Sequence, residues 1–327
     1  MNNPAATTSR PTAGLRPDGL PRDAPEIPFG GPSSVGVVGG AVLEAVAFMS
    51  VMIFGLLLLA GIATAFFPAS EVTSGAALPG ATVQLLSIVI AYLVVVLVME
   101  RRHRIFELSP ERIGGLVVGL LGGAAALGAS YLLITLLGGY RLSVIKDPDI
   151  GRVLVQSFAA GVGAGVGEEL MFRGILFRLL EHVAGTWGAT FGSGLVFGLM
   201  HVTNPDGTKW GAIAIVLEAG FLFGILYALT RNLWLLIGFH AAWNVVQGPV
   251  LGVPISGTGT GPSVLRTTMH GSELVTGGTF GTEASVVSVG LMMLLTIVLM
   301  VELVRRGGAV RPVWARPAAG GTAPDRI

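Results

Sequence analysis

The chain has 327 residues, 52% of them hydrophobic and 12% charged, with a formal net charge of +1 and a mean hydropathy of +0.76. Soluble domains carry about 25% charged residues, so the solvent for most of this surface is expected to be lipid, while the net charge by itself names no partner. The chain has no cysteine, which excludes disulfides, thiolate nucleophiles and cysteine-ligated zinc.

Residues 1–35 are rich in Pro, Gly, Arg and Asp and lack an apolar run. They read as a disordered tail rather than a cleavable signal peptide. About eight segments then pass the length test for a membrane-spanning helix, roughly 17–25 apolar residues. They fall near 38–67, 82–99, 113–138, 152–177, 187–203, 211–229, 232–250 and 284–304. The predicted fold class is therefore all-α, a polytopic membrane protein whose transmembrane domain covers 36–305. A second disordered tail is expected over 306–327.

Basic residues set the orientation. Arg10, Arg16 and Arg22 precede the first segment, and Arg101, Arg102, Arg104 and Arg112 follow the second. Arg178, Arg231 and the group from Arg305 to Arg316 mark the other connections on that side, whereas 68–81 holds no Lys or Arg and 251–283 holds only Arg266. Arg141, Lys146 and Arg152 run against the pattern. The expectation is that both termini are cytoplasmic, in a bacterial cytoplasmic membrane. The 251–283 loop, dominated by Gly, Thr and Ser, reads as a linker without fixed structure of its own.

Three patterns inside the apolar segments carry chemistry: Glu168-Glu169-x-x-x-Arg173, Phe197-x-x-x-His201 and His240-x-x-x-Asn244. An ionisable group at such a place is a functional-site hypothesis by default. Glu168 lies ~15 Å below the helix end at Arg178, counting ~1.5 Å per residue. Adjacent helical residues diverge by ~100°, so the two glutamates serve different ends. Glu169 pairs with Arg173 one turn on in a supporting role, and Glu168, left unpaired on its own helix, is the expected general base for a water. The plain structural alternative is a charge network that only locks helices together. A lone His201 at a helix end would ordinarily just bond a backbone carbonyl, but a second histidine, His240, lies in another segment with Asn244 on the same face. His240 and Asn244 can donate to a developing oxyanion. Glu218 has no partner in its own helix and is expected to bond across helices or to hold a proton. Gly161, Gly163, Gly165 and Gly167 are no phosphate loop, because no Lys-Ser/Thr follows. They are expected to let a neighbouring backbone or a substrate approach.

The block Glu168 to Gly174, the run Phe197 to His201, and Asn232-Leu233-Trp234 followed by His240 to Asn244 resemble the CPBP family of intramembrane endopeptidases. That family includes the type II CAAX prenyl endopeptidases and the bacteriocin-processing or self-immunity (Abi) proteins. The likeness runs from Gly161 to Gly248. It implies eight helices around an intramembrane cavity and a glutamate-dependent peptidase. On that resemblance Glu168 and His201 activate the water, His240 and Asn244 stabilise the oxyanion, and Glu169, Arg173 and Phe197 support the site. No cofactor is expected. A metallopeptidase with Glu168, Glu169, His201 and His240 around zinc is an alternative, although no His-Glu-x-x-His is present. A non-catalytic scaffold or immunity protein, and a proton-coupled transporter using Glu168, Glu169 and Glu218, are the others. The expected partners are the bilayer and a membrane-associated protein or peptide, with or without a lipid anchor, and no nucleic acid.

Overall fold

A computed structural model describes residues 34–75, 77–102 and 104–315. The N-terminal tail, apart from Ser34 and Val35, lies outside the described residues, as do His103 and 316–327. Among the described residues six helices are long and apolar enough to cross a membrane: α1 Val35–Ala63, α2 Leu78–Met99, α3 Pro110–Leu136, α4 Ile150–Thr203, α5 Lys209–Thr230 and, after the site helix, α7 Val286–Arg305. The helix α6, Leu233–Val245, prolonged by a wider π turn Val246–Val250, is not among the six. It carries His240, Asn244 and Gln247, which dilute its apolar character, and its faces are buried by protein.

The difference from the expected segments is concentrated in α4. At ~1.5 Å per residue its 54 residues would far exceed the ~30 Å of a hydrocarbon core. The run turns back at Gly185, whose φ of +69° is open to glycine but costly for other residues. The two segments expected at 152–177 and 187–203 are its two arms. A side chain at Gly185 would also strike the Val310 carbonyl. Val310 is buried there and exchanges bonds with Thr186: Thr186 N–H donates to Val310 O at 3.0 Å, and Val310 N–H to Thr186 Oγ1 at 2.8 Å. The stretch 306–315, expected to begin the disordered tail, thus caps the bend.

The connections segregate into two ends. At the arginine-rich end Arg102 meets Glu107 (3.0 Å), Arg178 meets Glu100 (3.0 Å) and Arg231 meets Glu181 (2.5 Å). Burial pushes the Glu107 carboxyl up, but Arg102 and Arg178 outweigh it and hold it below its ordinary value. The fold is the expected all-α polytopic one, with one small addition at the opposite end: β1 Tyr140–Val144 pairs antiparallel with β2 Leu265–Met269, Tyr140 opposite Met269. That end corrects one expectation, because 251–283 is not an unstructured linker. Val253, Ile255 and Phe280 are buried, Asn204 Nδ2 donates to Ser256 O (2.6 Å), and Asp206 N–H donates to Gly257 O (2.8 Å). A glycine- and serine-rich loop has little apolar surface to fold on alone; the helix ends supply it.

Glycines set how closely the helices approach. A Cβ at Gly119 of α3 would stand 2.1 Å from Leu235 O of α6, and one at Gly123 2.2 Å from Phe239 O. Backbone therefore lies on backbone over the turns that precede His240, the small-residue packing common in membranes.

Candidate active site

Glu168 and Glu169 lie on the first arm of α4, where a short α stretch Gly165–Glu169 is flanked by π turns Phe158–Ala164 and Leu170–Phe177. Such widened turns recur at functional sites. The glycine series before them does what the sequence suggested. A Cβ at Gly165 would fall 3.0 Å from Ala241 N, so α6 lies directly on α4 and His240 is brought beside the glutamates.

Glu169 is fully buried and pairs with Arg173 one turn on, Oε1 to Nη1 at 3.1 Å. The same oxygen lies 2.9 Å from His240 Nδ1. Arg173, also fully buried, donates from Nη2 to Ala219 O of α5 at 3.0 Å and lies over the rings of Phe197 and Phe223 at 5.0 and 5.1 Å. Glu169 and Arg173 therefore anchor a histidine from another helix as well as each other. With Nδ1 held by a carboxylate, His240 turns Nε2 toward Glu168, whose Oε2 is 3.8 Å away. That is too long for a direct hydrogen bond, yet one water can sit about 2.8 Å from both atoms. Glu168 keeps 29% of its side chain exposed.

His201, at the far end of the second arm of α4, presents Nδ1 to Phe197 O at 2.7 Å. A carbonyl can only accept, so Nδ1 carries a proton, and Nε2 is the nitrogen that can act as an acceptor. The Phe197 ring is edge-on to both histidines, 4.8 Å from His201 and 6.2 Å from His240. Asn244 is buried and donates from Nδ2 to Ala160 O at 3.0 Å.

His201, His240, Asn244 and Phe197 line one cavity. Its other walls are mainly apolar, including Phe223, Trp243 and Met292. Glu168 and Glu169 are not on that lining; they meet the cavity through His240. Among the described residues His201 forms no ion pair with either glutamate.

Three cavity residues carry less signal in the sequence. Glu218 lines the cavity and bonds across helices, accepting from Ser288 Oγ of α7 at 2.5 Å. Glu283 and Ser256 come from the loop read as a linker. Glu283 Oε2 accepts from Gln247 Nε2 (2.6 Å) and Oε1 from Ser256 Oγ (2.9 Å). Burial pushes its carboxyl up despite those bonds. Locally Glu283 looks like an acid ahead of the capping serine of α7, Ser285, and only the fold turns it inward. Among the described residues no three of His, Asp and Glu gather as a metal-holding group.

Compared with known families, residues 150–246 match the one described as Type II CAAX prenyl endopeptidase Rce1-like. The match covers less than a third of the chain, from the start of α4 to the end of α6, and so contains all seven motif residues. It supports the family expected from the motifs and, in general terms, an intramembrane protease. No curated protein matches the chain.

Proposed function

We propose that this chain, whose site segment matches the type II CAAX prenyl endopeptidases, is an intramembrane endopeptidase that hydrolyses a peptide bond with a water activated by Glu168 and His201. The observation that carries the reading is His240, tied at Nδ1 to the Glu169–Arg173 pair and facing Glu168 from Nε2. A buried charged pair costs desolvation that a hydrophobic pair would avoid. Its use here is to hold a proton at Nδ1 and fix one ring orientation, as a carboxylate does for a catalytic histidine.

In the proposed reaction Glu168, the one motif carboxylate without an arginine, takes the proton of a water. The free Nε2 of His201 is the second acceptor on the cavity wall. The water oxygen attacks the peptide carbonyl, and its oxygen becomes negative. The imidazolium form of His240, its Nδ1–H held by Glu169, can donate from Nε2–H to that oxygen, and so can the remaining amide hydrogen of Asn244. Collapse of the tetrahedral intermediate breaks the C–N bond, and the departing nitrogen takes a proton from Glu168. These steps need no metal. The substrate is a membrane-associated protein or peptide, of CAAX type or from peptide maturation or immunity, and the arginine-rich end faces the cytoplasm.

The test compares protein termini by mass spectrometry in membranes holding the wild-type chain or Glu168→Gln at matched levels. New termini that vanish in Glu168→Gln and in His201→Ala are expected. Identical termini in all three, with folded protein present, would sink the peptidase and favour a non-catalytic scaffold.

A further inference from the structure

Six glutamates are buried among the described residues, and three of them meet an arginine: Glu107 with Arg102, Glu169 with Arg173 and Glu181 with Arg231. Glu44, Glu218 and Glu283 form no ion pair with arginine among the described residues. Glu44 is on α1 and off the cavity lining, whereas Glu218 and Glu283 line the cavity that holds His201, His240 and Asn244, and their partners are the neutral donors Ser288, Gln247 and Ser256. Glu218 is 3% exposed, and its Oε2 has no hydrogen-bond partner among the described residues. An unsatisfied buried carboxyl oxygen is costly, and a carboxyl away from water ionises only where a cation meets it. Three buried glutamates follow that rule with arginine, whereas among the described residues no cation meets Glu218 or Glu283 on the cavity wall.

We propose that Glu218 and Glu283 form an acidic subsite that receives the basic side chain of a lysine or arginine in the peptide substrate. The inference rests on the peptidase reading for the identity of the occupant, because whatever fills this cavity also meets His201, His240 and Asn244. The apolar remainder of the wall accommodates the alkyl stem of such a side chain, which buries its methylenes while its charged head seeks polar company. Glu218 is fixed by α7 and Glu283 by the 251–283 loop, so the loop contributes to the choice of substrate.

The test uses full-length Glu168→Gln chain in phosphatidylcholine nanodiscs, which binds without turnover. The probes are apolar peptides with one lysine, placed at each position in turn, and twins in which that lysine is acetylated. At one position the free lysine should bind about tenfold tighter or more, as close charge pairs at interfaces do. The preference should collapse toward unity in Glu218→Gln and in Glu283→Gln. Equal binding of both twins at every position overturns the subsite, even if neither variant folds. So does a preference that persists in both folded variants. Phosphatidylethanolamine, whose headgroup is also an amine, should leave the preference intact; its loss on adding that lipid would make a lipid the occupant and overturn the peptide subsite. Wild-type chain that selects lysine yet cuts no bound peptide would support the subsite and overturn the peptidase reading.

Discussion

Glu169 Oε1 lies 2.9 Å from His240 Nδ1 while also lying 3.1 Å from Arg173 Nη1. One carboxylate thus joins two segments of chain and holds the ring that faces Glu168. Glu169 itself is sealed from solvent, so its contribution is to position His240.

Removing the arginine should therefore cost stability and activity together. Arg173→Gln leaves the Glu169 carboxylate buried without its cation, and breaking such a pair costs about 3–5 kcal/mol. The double variant Arg173→Met with Glu169→Leu should lose much less stability yet remain inactive, because His240 keeps no anchor. Unfolding in detergent, paired with a cleavage assay, checks both halves; full activity in the double variant would contradict the positioning role.

Glu168 should behave in the opposite way. It is partly exposed and has no arginine partner among the described residues. Glu168→Gln is expected to lower cleavage about 10²–10⁴-fold, the usual weight of a general base, with unfolding changed by no more than about 0.5 kcal/mol.

Glycines where α3 meets α6 should be less tolerant than those facing outward. Gly119→Ala forces a methyl group onto Leu235 O and is expected to destabilise by about 1–3 kcal/mol, as overpacking does. Gly128→Ala, on the same helix with nothing within 4 Å of the added carbon, should be neutral or stabilising by up to about 1 kcal/mol. Thermal unfolding of the two variants decides; equal effects would mean that the helices are not in close contact.

The arginine-rich end should weaken in acid. Glu107 is held below its ordinary value, so it contributes stability that is fully present above the ordinary carboxylate range, near pH 4.3. That stability is lost as pH falls through the lower folded value. Glu107→Gln should flatten this acid limb, measured as unfolding midpoint against pH, while an unchanged limb would place the sensitivity elsewhere.

Cleavage should survive metal removal. The proposed chemistry runs on carboxylate and imidazole, so chelator-treated protein, checked for metal content, should keep its rate. Loss of activity that zinc restores would instead favour the zinc alternative built on Glu168, Glu169, His201 and His240.

Much of the site was legible in the sequence because helical spacing is a local property. Glu169 and Arg173, Phe197 and His201, and His240 and Asn244 are each one turn apart, and each pair stands in an apolar run where polar groups are costly. The alternating glycines before Glu168 announced a close approach, and the structure shows Ala241 of α6 lying against Gly165. The break between the segments at 152–177 and 187–203 was legible as well, and Gly185 falls in it; its cap was not, because Val310 arrives from beyond α7.

Composition and spacing determined that this chain is a helical membrane protein with paired polar residues inside its apolar segments. Tertiary structure alone decided which polar groups meet. His240 could have faced either glutamate or neither; its partnership with Glu169 depends on how closely α6 packs on α4. Glu218 and Glu283 were an isolated acid and a loop residue until the helix ends folded 251–283 against the cavity. A sequence displays spacing along one helix, but contacts between helices depend on backbone approach and on which buried charges find a partner.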